Sequence, residues 1–139
     1  MRYWLFKSEP STWSGDQQVA KGAAGEEWDG VRNYQARNNM RQMKLGDLGF
    51  FYHSLKEKSI VGVVEVCREV HPDSTTDDPR WDCVDIKAVA PFPEPVTLDM
   101  CKGNEALRDM VLVNNSRLSV QPVTSAEWAE VSRMGGYKG

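Results

Sequence analysis

The sequence predicts an α+β fold, a small β-barrel of five to six strands with short helices at its periphery. Three observations predict it. Short apolar runs of uneven length, rich in β-branched and aromatic residues, recur along the chain. Helical periodicity is confined to a few brief segments. The alternation of the two patterns is too irregular for a doubly wound parallel sheet. A length of 139 residues suits one compact domain over 1–139, and 40% hydrophobic with 27% charged residues is an ordinary globular balance.

The first strand is expected over 2–7, where Tyr3 and Leu5 face one side and Trp4 and Phe6 the other. Apolar residues on both faces mark a strand covered on both sides. Ser14 can cap a short helix, with Gln17 at the capping-box position. Residues 21–25 read as a loop. A helix is expected over 34–44, with Ala36, Met40 and Met43 on one stripe and Arg37, Arg41 and Lys44 on its neighbour. Gly46-Asp47 turns into a strand over 48–53, with Leu48, Phe50 and Tyr52 on one face. The valine-rich stretch 60–70 is the third strand, and Gly62 within it signals a bulge or a close backbone approach. Residues 72–79 form a polar loop, and a fourth strand covers 81–89. The run Pro91-Phe92-Pro93-Glu94-Pro95 is extended but excluded from a central strand. Thr97 can cap a turn over 98–102, and another is expected over 105–110. The last strand is expected over 117–121, closed by Pro122. Thr124 and Glu127 then form a capping box for a helix in which Trp128 and Val131 face the core and Gly135-Gly136 ends the turn sequence.

Bulk charge excludes a generally basic surface: the formal net charge is −3, so any polyanion contact must come from a local patch. No apolar run is long enough for a membrane helix, and Met1–Lys7 turns polar at once, unlike a leader segment. Cys67, Cys83 and Cys101 are odd in number and lack a paired spacing, which fits free thiols in a reducing, cytoplasmic setting. No metal-binding, phosphate-loop or nucleophile-elbow motif is present, so neither a metal nor a cofactor is expected.

Five tryptophans divide into two groups. Trp4, Trp81 and Trp128 sit in regular elements and read as core. Trp13 and Trp28 sit in polar turns, where a large aromatic either plugs an apolar edge or offers a stacking face for a base. Around them lie Lys7-Ser8-Glu9 and Arg32-Asn33-Tyr34-Gln35-Ala36-Arg37-Asn38. Asn and Gln side chains donate and accept, as a base edge does, although Asn33 is equally a helix cap. From Arg32 to Lys44 there is no acidic residue, so Arg37, Arg41 and Lys44 form a short basic stripe. His53 beside Ser54 is the only catalytic hint, and alternation along a strand points the two apart.

Five ordered blocks then resemble the EVE domain family. They are Tyr3–Pro10, Trp28–Asn38, Gly46-Asp47 with Phe50–Ser54, Gly62–Val66 and Arg117–Val123. The resemblance spans essentially the whole chain. It implies a PUA-like fold and a pocket for a modified base, a modified cytosine such as 5-methylcytosine or 5-hydroxymethylcytosine, flipped out of DNA or RNA. It implies that Lys7, Ser8, Glu9, Trp13, Trp28, Asn33, Tyr34, Tyr52, His53, Ser54, Arg117 and Ser119 line the pocket. Arg37, Asn38, Arg41 and Lys44 would meet the phosphates. The alternatives are a nuclease-like hydrolase and a sensor of free nucleosides.

Overall fold

In the computed structural model, which describes residues 1–115 and 117–138, one mixed sheet carries the fold. Its strands are β1 (Tyr3–Ser8), β2 (Glu26–Glu27), β3 (Leu48–His53), β4 (Ser59–Pro72), β5 (Asp82–Thr97) and β6 (Val120–Val123). They lie in the order β2-β5-β4-β3-β1-β6, with β1 and β3 parallel and every other pair antiparallel. The barrel-like sheet is not closed, because β2 and β6 are both edges. Helices α1 (Gly15–Ala20), α2 (Tyr34–Arg41), α3 (Leu98–Lys102), α4 (Val111–Asn114) and α5 (Ser125–Gly135) surround it.

Strand alternation sorts the apolar residues into two cores. Trp4, Phe6, Phe51, Val64, Val66, Val84 and Ile86 face one side, where Ala36, Met40 and Met43 of the α2 stripe cover them. Leu5, Phe50, Tyr52, Ile60 and Val63 face the other, covered by Leu98, Cys101, Trp128 and Val131. The expected burial of β1 on both faces holds, with Trp4, Leu5 and Phe6 all fully buried. The Trp4 indole N–H donates to Asp47 at 3.1 Å, and Asp47 also accepts from the Arg2 and Lys44 backbones, which pins α2 and the turn before β3 to β1.

Capping chemistry sets the helix starts. Ser14 with Gln17, Asn33 with Ala36, Thr97 with Met100 and Thr124 with Glu127 each make the cap hydrogen bond. Gly62 sits at a register shift between β4 and β5, and a Cβ there would meet the Ala90 carbonyl at 2.9 Å, so glycine is required.

Three expectations needed correction. The fourth strand does not stop at 89 but runs on through the prolines to Thr97, since this stretch pairs with β4 on one side while β2 covers only Asp85 and Ile86. The last strand begins at Val120, not 117, and includes Pro122, which an edge strand tolerates. Helix α2 ends at Arg41 rather than 44. Residues 105–110 give a 3₁₀ turn over Glu105–Leu107, followed by α4.

Candidate functional site

A cleft opens where β1 ends, beside the loop that leads from β2 to α2. Its volume is about 510 Å³. Lys7, Ser8 and Glu9 come from the end of β1, Thr12 and Trp13 from the following turn, Ser119 from the approach to β6, and residues 26–32 form the longest wall.

Trp28 belongs to that wall because its backbone N–H bonds to the Val84 carbonyl at 2.8 Å, carrying β2 one residue further along β5. Its ring packs edge-on against Phe6 and Phe51, with centroids 5.4 and 5.7 Å away. The same indole therefore plugs the core and lines the cleft. Trp13 is half-buried, and its N–H donates to the Gln18 side-chain oxygen at 3.0 Å. Gln18 is fully buried and in turn donates to the Ile86 carbonyl. The Ser8 hydroxyl donates to the Trp13 carbonyl, so strand end and turn close as one unit.

Gly30 has φ +75, a left-handed conformation, and its N–H donates to Asp73 at 2.9 Å. Asp73 also accepts from Arg32 at 3.1 Å and from the Thr75 backbone at 2.8 Å. This buried carboxylate fastens the loop between β4 and β5 to the cleft wall. Burial pushes the Asp73 carboxyl up, but the Thr75, Gly30 and Arg32 donors outweigh it and bring it to about 2.

Four carboxylates (Glu9, Glu26, Glu27, Asp29) and two cationic side chains (Lys7, Arg32) line the cleft, so its interior is acidic. Glu26 pairs with Lys21 at 3.1 Å. Glu27 accepts from the Ser74 backbone and hydroxyl at 2.7 and 2.8 Å; burial raises its titration, these bonds lower it, and the lowering prevails. Asp29 goes the opposite way. Although the residue is exposed at the rim, partial desolvation within the cleft raises it, and the neighbouring charges of Asp73, Glu27 and Glu26 add to the rise.

Of the sequence-predicted residues, the structure brings Lys7, Ser8, Glu9, Trp13, Trp28 and Ser119 to this one cleft. It places the others elsewhere. Tyr52 lies in the opposite core, since strand alternation puts it on the Leu5 face, and burial pushes its hydroxyl up to about 12. His53 lies behind the turn after β1: its Nε2 accepts from the Gly15 N–H at 2.9 Å, and its Nδ1 meets Glu57 at 2.5 Å. It lines a separate, mainly apolar hollow of about 240 Å³. Ser54 is buried, with its N–H and hydroxyl both directed at the Ser8 carbonyl. Asn33 spends its side-chain oxygen on the Ala36 N–H at 2.9 Å as a helix cap. Arg117 is exposed and outside the cleft lining.

Tyr34 is exposed and stacks on Trp81 at 5.0 Å. Arg37 lies over Tyr34 at 4.8 Å, and Arg32 and Arg80 lie over Trp81 at 5.4 and 6.0 Å. The result is a layered arginine–aromatic patch that Arg32 joins to the cleft. Arg37 bonds Asn38, whereas Arg41 is drawn into a 2.6 Å ion pair with Asp82. Lys44 is exposed beyond the end of α2. The basic stripe is thus split: Arg37 turns to the patch and Arg41 to the sheet.

Sequence reasoning missed Thr12, Glu26, Glu27, Asp29, Gly30 and Val31 as cleft residues, and placed Arg32 only in the polar cluster around the tryptophans. Only the Trp28-Asp29-Gly30 turn offered a signal, a loop aromatic followed by a glycine able to reverse the chain.

Comparison with known proteins bears on this cleft. A family model described as the EVE domain matches residues 2–134. Thymocyte nuclear protein 1 from Mus musculus is 37% identical, over 91% of this chain and 70% of the mouse protein. A crystal structure of a protein from Agrobacterium tumefaciens superposes with a TM-score of 0.97 at 61% identity, covering 99% of this chain and 94% of that one. Human THYN1 protein, solved in complex with DNA containing 5-methylcytosine, superposes with a TM-score of 0.92 at 33% identity, covering 100% of both chains.

Proposed function

The chain belongs to the EVE domain family, and from that premise we propose that its cleft receives a modified cytosine turned out of a nucleic acid strand. The observation that carries the proposal is the pairing of two indoles with an acidic lining in one cleft beside an arginine–aromatic patch. A planar base gains roughly 1–3 kcal/mol from stacking on an aromatic ring. Cytosine presents an exocyclic amino donor, which carboxylates accept. Uracil and thymine present an oxygen there and would meet Asp29 or Glu9 with repulsion. An acidic interior also keeps phosphate out of the cleft, while Arg37 and Arg80 lie outside it where a backbone can pass.

The cost of extruding a base from a duplex is a few kcal/mol, offset by the stack and the amino contact. A hollow for a C5 methyl group adds only about 1–3 kcal/mol of discrimination. Preference for a modified over an unmodified cytosine should therefore be modest, and rejection of uracil strong.

The hydrolase reading has less support. Both nitrogens of His53 are engaged by Gly15 and Glu57, and the ring lines the smaller hollow rather than the cleft.

The test is a binding screen of oligonucleotides carrying cytosine, 5-methylcytosine, 5-hydroxymethylcytosine or N6-methyladenine, as DNA and as RNA. A Trp28→Ala change is a poor probe, because it also removes an indole packed on Phe6 and Phe51. Asp29→Ala, at an exposed position, should abolish the preference for cytosine-type bases while the fold persists. Equal binding of all oligonucleotides by the unaltered chain would refute the proposal.

A further inference from the structure

At the back of the acidic wall, three strands bring together a donor set that sequence spacing does not announce. Glu27 on β2, His71 on β4 and Cys83 on β5 hold a carboxylate oxygen, an imidazole nitrogen and a thiol sulfur within 4.8 Å of one another. The register explains the convergence. His71 is opposite Cys83, and Glu27 is opposite Asp85, two residues along β5 and so on the same face.

The four side chains already interact. The Cys83 thiol donates to Glu27 at 3.3 Å. His71 Nε2 lies 2.7 Å from Asp85, and its Nδ1 lies 3.0 Å from the Pro72 carbonyl. Cys83 is fully buried, while Glu27 and His71 are half-buried, so the cluster is anchored in the core and reachable from one side.

We propose that Glu27, His71 and Cys83 form a binding site for one divalent transition-metal ion, with zinc the best match. Mixed sulfur, nitrogen and oxygen donors are the zinc set, and three protein ligands leave a fourth position open. Calcium and magnesium take oxygen donors and would gain nothing from Cys83 or His71. With its Nε2–H held on Asp85, a carboxylate that fixes the ring, His71 must give up the Nδ1 contact with the Pro72 carbonyl to meet the ion. On binding, the thiol proton leaves to solvent and a thiolate–metal bond replaces the S–H···O bond to Glu27. The ion would tie the two-residue β2 to β4 and β5, and would thereby brace the wall that carries Trp28 and Asp29. The site shares Glu27 with the cleft wall, but its test does not depend on the base-binding reading.

The test uses the whole chain, stripped of metal with a chelator and then titrated with zinc against a chromophoric competitor. A parallel titration uses cobalt(II) and follows its absorption. One equivalent of each metal should bind, and cobalt should show a thiolate charge-transfer band. His71→Gln and Glu27→Gln, both at half-buried positions, should each weaken zinc binding by at least about tenfold. Cys101→Ser, in the opposite core, should leave affinity and band unchanged. Absence of stoichiometric uptake by the unaltered chain overturns the proposal, whatever the variants do. So does uptake that His71→Gln and Glu27→Gln leave undiminished while circular dichroism shows both folded.

Discussion

Two aspartates bound to the same cleft wall titrate in opposite directions, and each sets a measurable pH dependence. Asp29 is raised, by burial first and then by Asp73, Glu27 and Glu26. An ionised carboxylate accepts an amino hydrogen bond more strongly than the neutral acid does, so affinity for cytosine-type oligonucleotides should fall as pH drops through this raised range. Fluorescence anisotropy against pH should show that fall, and Asp29→Asn should flatten it. Asp73 is lowered to about 2, with burial overcome by its Thr75, Gly30 and Arg32 donors. Its folded-state titration lies below the ordinary aspartate value, so it stabilises the fold above about pH 4 and that contribution is lost as pH falls toward 2. A lowering to about 2 is worth about 2 kcal/mol. Denaturant titrations at neutral pH should find Asp73→Asn less stable by up to about that amount, with a flatter acid limb. Asp29 contributes with the other sign, since ionising it costs more in the folded chain than in the unfolded one.

At the scale of elements, local chemistry accounts for where helices start and tertiary position accounts for where strands end. In α5, Thr124 accepts from the Glu127 N–H at 3.1 Å and Glu127 accepts from the Thr124 N–H at 3.0 Å. Thr124→Ala should cost about 1 kcal/mol, read as a lower midpoint in thermal or chemical unfolding. This motif was readable because all its partners lie within four residues. The extension of β5 through Pro93 and Pro95 was not. A proline forbids a central strand but not an edge, and which side of β5 is bare depends on β2 reaching only Asp85 and Ile86. Pro122 inside β6 repeats the point at the opposite edge.

At the scale of the whole molecule, a chain of net charge −3 needs a local device to meet a polyanion. On the proposed reading, the arginine–aromatic patch is that device. Each phosphate neutralised releases a counterion, so binding should weaken with salt. Arg37→Ala should reduce the slope of log affinity against log salt by about one. Asp29→Ala should erase base preference and leave that slope unchanged. The two readouts separate backbone contact from base recognition, and a free-nucleoside sensor would show neither slope nor arginine effect.

The sequence by itself determined the α+β class, the strand faces, the helix caps, the glycine at the β4 bulge and the strand end at Lys7, Ser8 and Glu9. Each rests on periodicity or on hydrogen bonds between near neighbours. Only the tertiary structure decided that residues 26–32 wall the cleft, that Tyr52 and His53 do not, and that Glu27, His71 and Cys83 meet. Those outcomes follow from strand order and register between segments dozens of residues apart. Side-chain alternation tells which residues share a face of one strand, and says nothing about which strand lies beside it.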